Sequence, residues 1–260
     1  MNLTDFLGGV GTGLAGGLMS GLFGVSPGGG LVVLSVFLLG AEQHVAQGIS
    51  LVAQVPPTSA WGIGRYWAAG ERAPLRWLVL LAVGFLVGGA AGALAANLAA
   101  AATLQWSYVA YLAVLDVMLI MRGRGRQSPG EAAGKSRELH GGALLAVGLL
   151  AGLSSGFLGI GGGLATVIGL GVVLGVPQHQ AQMISLMLSL VPTTIPSAWV
   201  YWRSGAMASW PTLAGVILGL IVGTDLGARL ATRITPVVLK RSLILFLSLM
   251  VIGMAFKALA

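Results

Sequence analysis

Gly17-Leu18-Met19-Ser20-Gly21-Leu22-Phe23-Gly24 is echoed, 135 residues on, by Gly152-Leu153-Ser154-Ser155-Gly156-Phe157-Leu158-Gly159. The same offset pairs Gln43-His44 with Gln178-His179, and Ala46-Gln47-x-Ile49-Ser50-Leu51 with Ala181-Gln182-x-Ile184-Ser185-Leu186. It also pairs Pro57-Thr58 with Pro192-Thr193, and Tyr66-Trp67-x-x-Gly70 with Tyr201-Trp202-x-x-Gly205. Roughly 29 of the 80 positions from Gly17 to Ala96 are identical to their partners, without a gap. The chain is 56% hydrophobic and 8% charged, with a mean hydropathy of +0.92. A soluble domain carries about 25% charged residues, so this composition leaves almost nothing for a water-facing surface. Duplicated halves in so apolar a chain point to a polytopic membrane transporter whose site lies where the repeats meet.

Each half reads as five apolar segments. In the first half these are Phe6–Phe23, Gly30–Gly40, Val45–Trp67, Leu75–Leu98 and Leu104–Met121; in the second, Ala143–Leu158, Leu164–Val176, Gln180–Tyr201, Thr212–Ala231 and Val237–Phe256. Several reach or approach the ~20 residues that cross a bilayer. The second segment of each half is shorter and follows a glycine cluster directly, so the first two segments read as a broken pair of helices. The expected fold is an all-α polytopic membrane protein of two inverted-topology repeats. Residues 1–121 and 141–260 form the repeats, 122–140 link them, and 8 to 10 segments in total lie in the membrane.

The orientation rests on basic residues, which concentrate on the cytoplasmic side. Arg122, Arg124, Arg126, Lys135 and Arg137 place the linker there. Arg65, Arg72 and Arg76 precede the fourth segment, and the Asn97–Thr103 loop after it is uncharged. In the second half Arg203 stands alone before the fourth segment, and Arg229, Arg233, Lys240 and Arg241 follow it. Equivalent loops then lie on opposite sides, and both termini are expected outside the cytoplasm. A parallel repeat is the second-ranked arrangement. The net charge of +7 belongs to these flanks and not to a basic face for nucleic acid. With no cysteine, disulfides and thiolate metal sites are excluded.

Two glycine clusters, Gly24-Val25-Ser26-Pro27-Gly28-Gly29-Gly30 and Gly159-Ile160-Gly161-Gly162-Gly163, interrupt helices at matching positions. Unpaired backbone is costly in hydrocarbon, so such breaks survive only beside protein or a watery cavity. Short helices starting there would aim free N–H groups at an anion, with Ser26, Gly28, Gly29, Gly30, Gly161, Gly162 and Gly163 as contacts. Tight turns between packed helices are the structural alternative. A leucine at Gly162 is expected to abolish transport while folding and insertion survive. The spacing Gly84/Gly88/Gly92 and Gly219/Gly223/Gly227 reads as a packing seam.

Gln47 with Ser50, and Gln182 with Ser185, are three apart and share a helix face. Pro57-Thr58 and Pro192-Thr193 should kink the third segments and free backbone groups. Amides and hydroxyls from Gln47, Ser50, Thr58, Gln182, Ser185 and Thr193 suit an oxyanion that must also be released; interhelical hydrogen bonds are the alternative. His44 and His179 begin the third segments, and Asp116 lies inside an apolar run. All three are candidates for proton coupling. Asp225 and Arg229 are spaced for an i,i+4 pair.

Gly156–Gly163 followed by an apolar run, then Ala181–Leu186 and Tyr201–Gly205, resembles the sulfite exporter TauE/SafE family; Gly21–Gly30, Ala46–Leu51 and Tyr66–Gly70 are the first-half counterparts. The resemblance implies a multi-pass transporter of the bacterial cytoplasmic (inner) membrane, moving sulfite, another small sulfur oxyanion or an organosulfonate out of the cytoplasm. The expected partners are that small anion and the lipid bilayer, with no nucleic acid; a homodimer stays open. No cofactor is expected. No GxxxxGK[ST] loop is present for direct ATP drive, and no HExxH or GxSxG motif for an enzyme. An anion channel, or uptake of another small anion, is the alternative reading.

Overall fold

A computed structural model describes residues 3–23, 26–56, 74–124, 139–176, 178–190, 192–231, 234 and 236–259. The chain is all-helical among these residues. In the first half α1 is Leu3–Phe23, α2 Gly28–Leu38, α3 Gln43–Ala53, α4 Leu75–Leu98 and α5 Ala101–Arg124. In the second half α6 is Gly141–Leu158, α7 Gly163–Ile168 with a π-helical turn to Val173, α8 Gln178–Leu190, α9 Ile195–Arg203, α10 Trp210–Ala231 and α11 Pro236–Leu259. Five of the described helices are long and apolar enough to cross a bilayer. The basic linker, Arg65, Arg72 and Thr58 fall outside the described residues, in whole or in large part.

The glycine clusters break helices where expected. Gly8 of α1 faces Leu39, Gly16 faces Leu31 and Gly30 faces Met19, so α2 folds back antiparallel along α1. In the second half Gly169 lies against Val147, so α7 folds back along α6 in the same way. The third segment is also interrupted: α8 ends at Leu190, and α9 starts at Ile195 after the turn at Pro192–Thr194.

Two glycine seams join the halves. Gly84, Gly88 and Gly92 of α4 meet the backbone at Leu145, Leu149 and Leu153 of α6; Gly9, Gly13 and Gly17 of α1 meet Thr212, Val216 and Leu220 of α10. Both pairs run parallel, since the numbers climb together. Shifting by 135 turns the Gly84–Leu145 approach into Gly219–Val10, and Gly152–Phe85 into Gly17–Leu220. Each half therefore lends its first helix to the other half's fourth. In lipid no hydrophobic force draws helices together, so close backbone approach must supply the adhesion. Each glycine brings a Cα–H to a facing carbonyl, a contact of about 0.5–1 kcal/mol. The fifth helices, α5 and α11, pack on each other.

These contacts fix directions. The start of α1, the end of α2 and the start of α3 meet around a cavity of about 380 Å³ lined by Thr4, Asp5, Leu39, Val45 and Thr212. His44 donates from Nε2 to Ala96 O at 3.1 Å, tying the start of α3 to the end of α4. Because α4 parallels α6, α1 and α6 run in opposite directions. At the α4/α6 start, Arg76 lies beside Gly141. Aromatic residues gather near Arg203, whose guanidinium lies 5.4 Å from the Trp199 ring, with Trp202 and Trp210 4.8 Å apart. Asp225 and Arg229 form the i,i+4 pair at 2.7 Å, well exposed.

Candidate functional site

The tips of the two hairpins touch. A Cβ on Gly28 would lie 1.9 Å from Ile160 O, and one on Gly161 would lie 1.9 Å from Gln54 Oε1 and 2.6 Å from Ser26 Oγ. Gly159 and Gly161 have φ of +69° and +71°, a left-handed backbone that glycine alone enters without strain. Ser26 stands at the position equivalent to Gly161, and no described residue other than glycine has positive φ. The two tips therefore share a place in the fold but not a backbone path.

Serine hydroxyls stitch the tips. The buried Ser50 hydroxyl is 2.6 Å from Gly159 O and 3.2 Å from Gly28 O, within donating reach of one carbonyl from each half. Gln54 Nε2 donates to Ser50 O at 2.9 Å and Ser50 Oγ at 3.1 Å, and Ser26 Oγ donates to Gln54 Oε1 at 2.8 Å. The second half repeats the outline: Ser185 Oγ donates to Gly163 O at 3.0 Å, and Ser189 Oγ to Ser185 O at 3.0 Å. Tyr108, from the apolar face of α5, donates its hydroxyl to Gly29 O. A helix break leaves carbonyls and amides without in-helix partners. Here the Gly159 carbonyl, past the end of α6, is taken up by the Ser50 hydroxyl, and the first-turn carbonyls of Gly28, Gly29 and Gly163 each accept a further bond from a hydroxyl on another helix.

Gln47 sits alongside. It is fully buried, its Cβ packs on Gly159, and its Oε1 accepts from Tyr201 at 2.7 Å; the same hydroxyl is 3.2 Å from Gly156 O. Its Nε2 has no acceptor. The site thus gathers Ser26, Gly28, Gly29, Gly30, Gln47, Ser50, Gly161, Gly162, Gly163 and Ser185 from the sequence reading, with every gathered side chain neutral. Gln54, Tyr108 and Tyr201 are the additions. Thr193 is buried in the turn before α9, and the adjoining Thr194 hydroxyl is buried without a partner. Thr58 and the side chains of Gln182 and His179 fall outside the described residues.

The proton-coupling candidates lie elsewhere. His44 is held at the C-terminal end of α4. Asp116 is 8% exposed between α5 and α11, where Ser248 Oγ donates to its Oδ2 at 2.6 Å and its Oδ1 has no partner. Gly162 also differs from expectation. A Cβ there would lie 1.8 Å from Cε2 of the buried Phe85 ring, so leucine must displace core packing and cannot report on the site alone.

A hairpin pair of this form, meeting through glycine backbone and neutral hydroxyl and amide groups among the described residues, is equipped to hold a small hydrogen-bond-accepting solute. No individual curated protein matches the chain. The family model described as Sulfite exporter TauE/SafE matches residues 9–254 of 260, taking in both hairpins, both seams and the tip contact. The chain belongs to the sulfite exporter TauE/SafE family of membrane transporters.

Proposed function

We propose that the chain exports sulfite, or a related small sulfur oxyanion or organosulfonate, across the cytoplasmic membrane by alternating access of two inverted halves. The observation that carries this reading is the meeting of the two glycine tips, lined by neutral donors. Counting from the start of α3, Ser50 and Gln54 lie about 10 and 16 Å along the helix, near the middle of a hydrocarbon core of about 30 Å. Backbone amides of Gly28–Gly30 and Gly161–Gly163, with Gln47 Nε2, Ser26 and Ser185, are the proposed anion contacts, and the repeat pattern of the sequence adds Gln182, Thr58 and Thr193. Neutral donors bind an oxyanion weakly enough for release, whereas a buried arginine would make stronger charge-assisted bonds. The inside-negative potential assists exit by about 2.3 kcal/mol per charge per 100 mV.

The test is sulfite efflux from proteoliposomes containing the purified protein, with calorimetric binding in parallel and sulfate, thiosulfate and taurine as competitors. Saturable efflux with selective sulfite binding is expected. Unitary currents, or stronger binding of a competitor, would overturn the mechanism or the substrate respectively.

The orientation makes its own expectation. The linker 122–140 is cytoplasmic and both termini are periplasmic in this reading, which the basic-residue pattern supports. In the cysteine-free chain, Asn97→Cys should react with an impermeant maleimide added outside cells, and Arg241→Cys only after permeabilisation. The reverse labelling sinks it.

A further inference from the structure

Gln43, Gln47 and Ser50 of α3 and Gln54, the helical-conformation residue that caps its end, are spaced 4, 3 and 4 apart, which puts all four on one face. That face is shut away from the surface: Gln43 is 2% exposed, and Gln47 and Ser50 are 0%. Burial of a side-chain amide normally comes with partners for it. Gln54 has them, and Gln47 Oε1 has Tyr201. By contrast, Gln47 Nε2 has no acceptor, and Gln43 has a partner for neither Nε2 nor Oε1. A glutamine that merely joined helices would be bonded to one, and Gln43 is bonded to none.

The position of the face gives the vacancy a use. His44, next to Gln43, is bonded to Ala96 at the end of α4 remote from Arg76. The far end of the stripe, Ser50 and Gln54, is the hydrogen-bonded core of the tip contact. The stripe therefore runs about 16 Å from one membrane end to the tips, half of the hydrocarbon thickness.

We propose that this face of α3 is the outer half of the permeation path, a ladder of neutral amide and hydroxyl groups that replaces the water shell of a small oxyanion between the tips and the extracytoplasmic side. The proposal rests on the export reading. Gln43 is its outermost rung, and Gln47 Nε2 the rung next to the tips. The rungs are uncharged, so each exchanges hydrogen bonds with the anion without trapping it. The spacing recurs in α8 as Gln178, Gln182, Ser185 and Ser189. The Ser185–Gly163 and Ser189–Ser185 bonds repeat those of Ser50 and Gln54.

Two measurements decide it. First, Gln43→Leu keeps the volume and removes the rung. Sulfite efflux should fall by about tenfold or more, with sulfite affinity within about twofold of wild type. Its melting temperature should hold or rise, because an unbonded amide has been replaced by an apolar group. Efflux within about twofold of wild type, with a raised melting temperature, overturns the proposal and makes Gln43 a buried orphan. Second, in the cysteine-free chain, Gln43→Cys and Gln47→Cys in sulfite-free proteoliposomes should react with an anionic thiosulfonate added outside. Leu144→Cys, fully buried in the α4–α6 core away from α3, should not. Equal protection of all three overturns the path. This second measurement needs no substrate. If the wild-type chain moves no sulfur oxyanion, the export reading falls, while selective labelling of Gln43→Cys and Gln47→Cys still upholds a hydrated path.

Discussion

Gly28→Ala is expected to abolish the proposed sulfite efflux, whereas Gly29→Ala and Gly30→Ala should leave most of it. The three glycines are consecutive and all belong to the first turn of α2, so helix propensity cannot separate them. Their surroundings do. A methyl on Gly28 would lie 1.9 Å from Ile160 O, 2.3 Å from Ile160 C and 2.6 Å from Gln54 Nε2. Ile160 is backbone of the opposite tip, fixed between two left-handed glycines, and its neighbour Gly159 is held by Ser50. It cannot yield without dragging the tip away. A methyl on Gly29 would instead sit 3.6 Å from Ile160 Cγ2, and one on Gly30 3.7 Å from Met19 Sδ, both ordinary contacts. Forcing atoms into a packed site costs about 1–3 kcal/mol, so Gly28→Ala should also lower the melting temperature in detergent. Efflux assays on the three variants check the order. Equal losses in all three would mean that the tip contact is not what these glycines serve.

Gly88→Val is expected to prevent the protein from assembling, while Gly11→Val on α1 should not. At Gly88 a Cβ would fall 2.1 Å from Leu149 O and 2.9 Å from Leu153 N, so α4 and α6 must part along the whole seam. Parting also separates Gly84, Gly92, Gly148, Gly152 and Gly156 from their facing backbone. The expected cost is about 3 kcal/mol, the upper end of overpacking, and lipid offers no compensating burial. Gly11 has nothing within 4 Å of its would-be Cβ, so valine there points into open space. Size-exclusion profiles of the solubilised variants provide the readout: a single sharp peak for Gly11→Val, and aggregate or no protein for Gly88→Val. A sharp peak for Gly88→Val would show that the seam tolerates separation.

Much of this architecture can be read from the residues. The fourth segment, Leu75–Leu98, coincides with α4, and the breaks fall at the glycine clusters because few other residues permit an interrupted helix in lipid. The period of Gly84, Gly88 and Gly92 marks a seam but not its partner. Periodicity describes a helix's own face, and α6 is brought there by the rest of the chain. Ser50 illustrates the harder limit. Its repetition at Ser185 singles it out, yet a hydroxyl serves equally for a substrate or for an orphan carbonyl, and only the tip geometry places it on Gly28 and Gly159. Tyr108 has no polar repeat mate to single it out, Leu243 standing at its equivalent position. Gln54 is masked by divergence, since its mate is Ser189. The 4, 3, 4 spacing from Gln43 would have exposed it.

The exchange of first and fourth helices between halves also sets a schedule for biosynthesis. Gly13 meets Val216, a partner 203 residues further along the chain. At about 5–20 residues per second, α1 waits roughly 10–40 s in the bilayer before that partner is made. Throughout this interval its glycine groove faces lipid or a temporary companion. Neither half can mature first and template the other, because each lacks the surface its opening helix needs. The α4–α6 seam can close once Leu158 is made, whereas the α1–α10 seam waits until Trp210–Ala231 has been added.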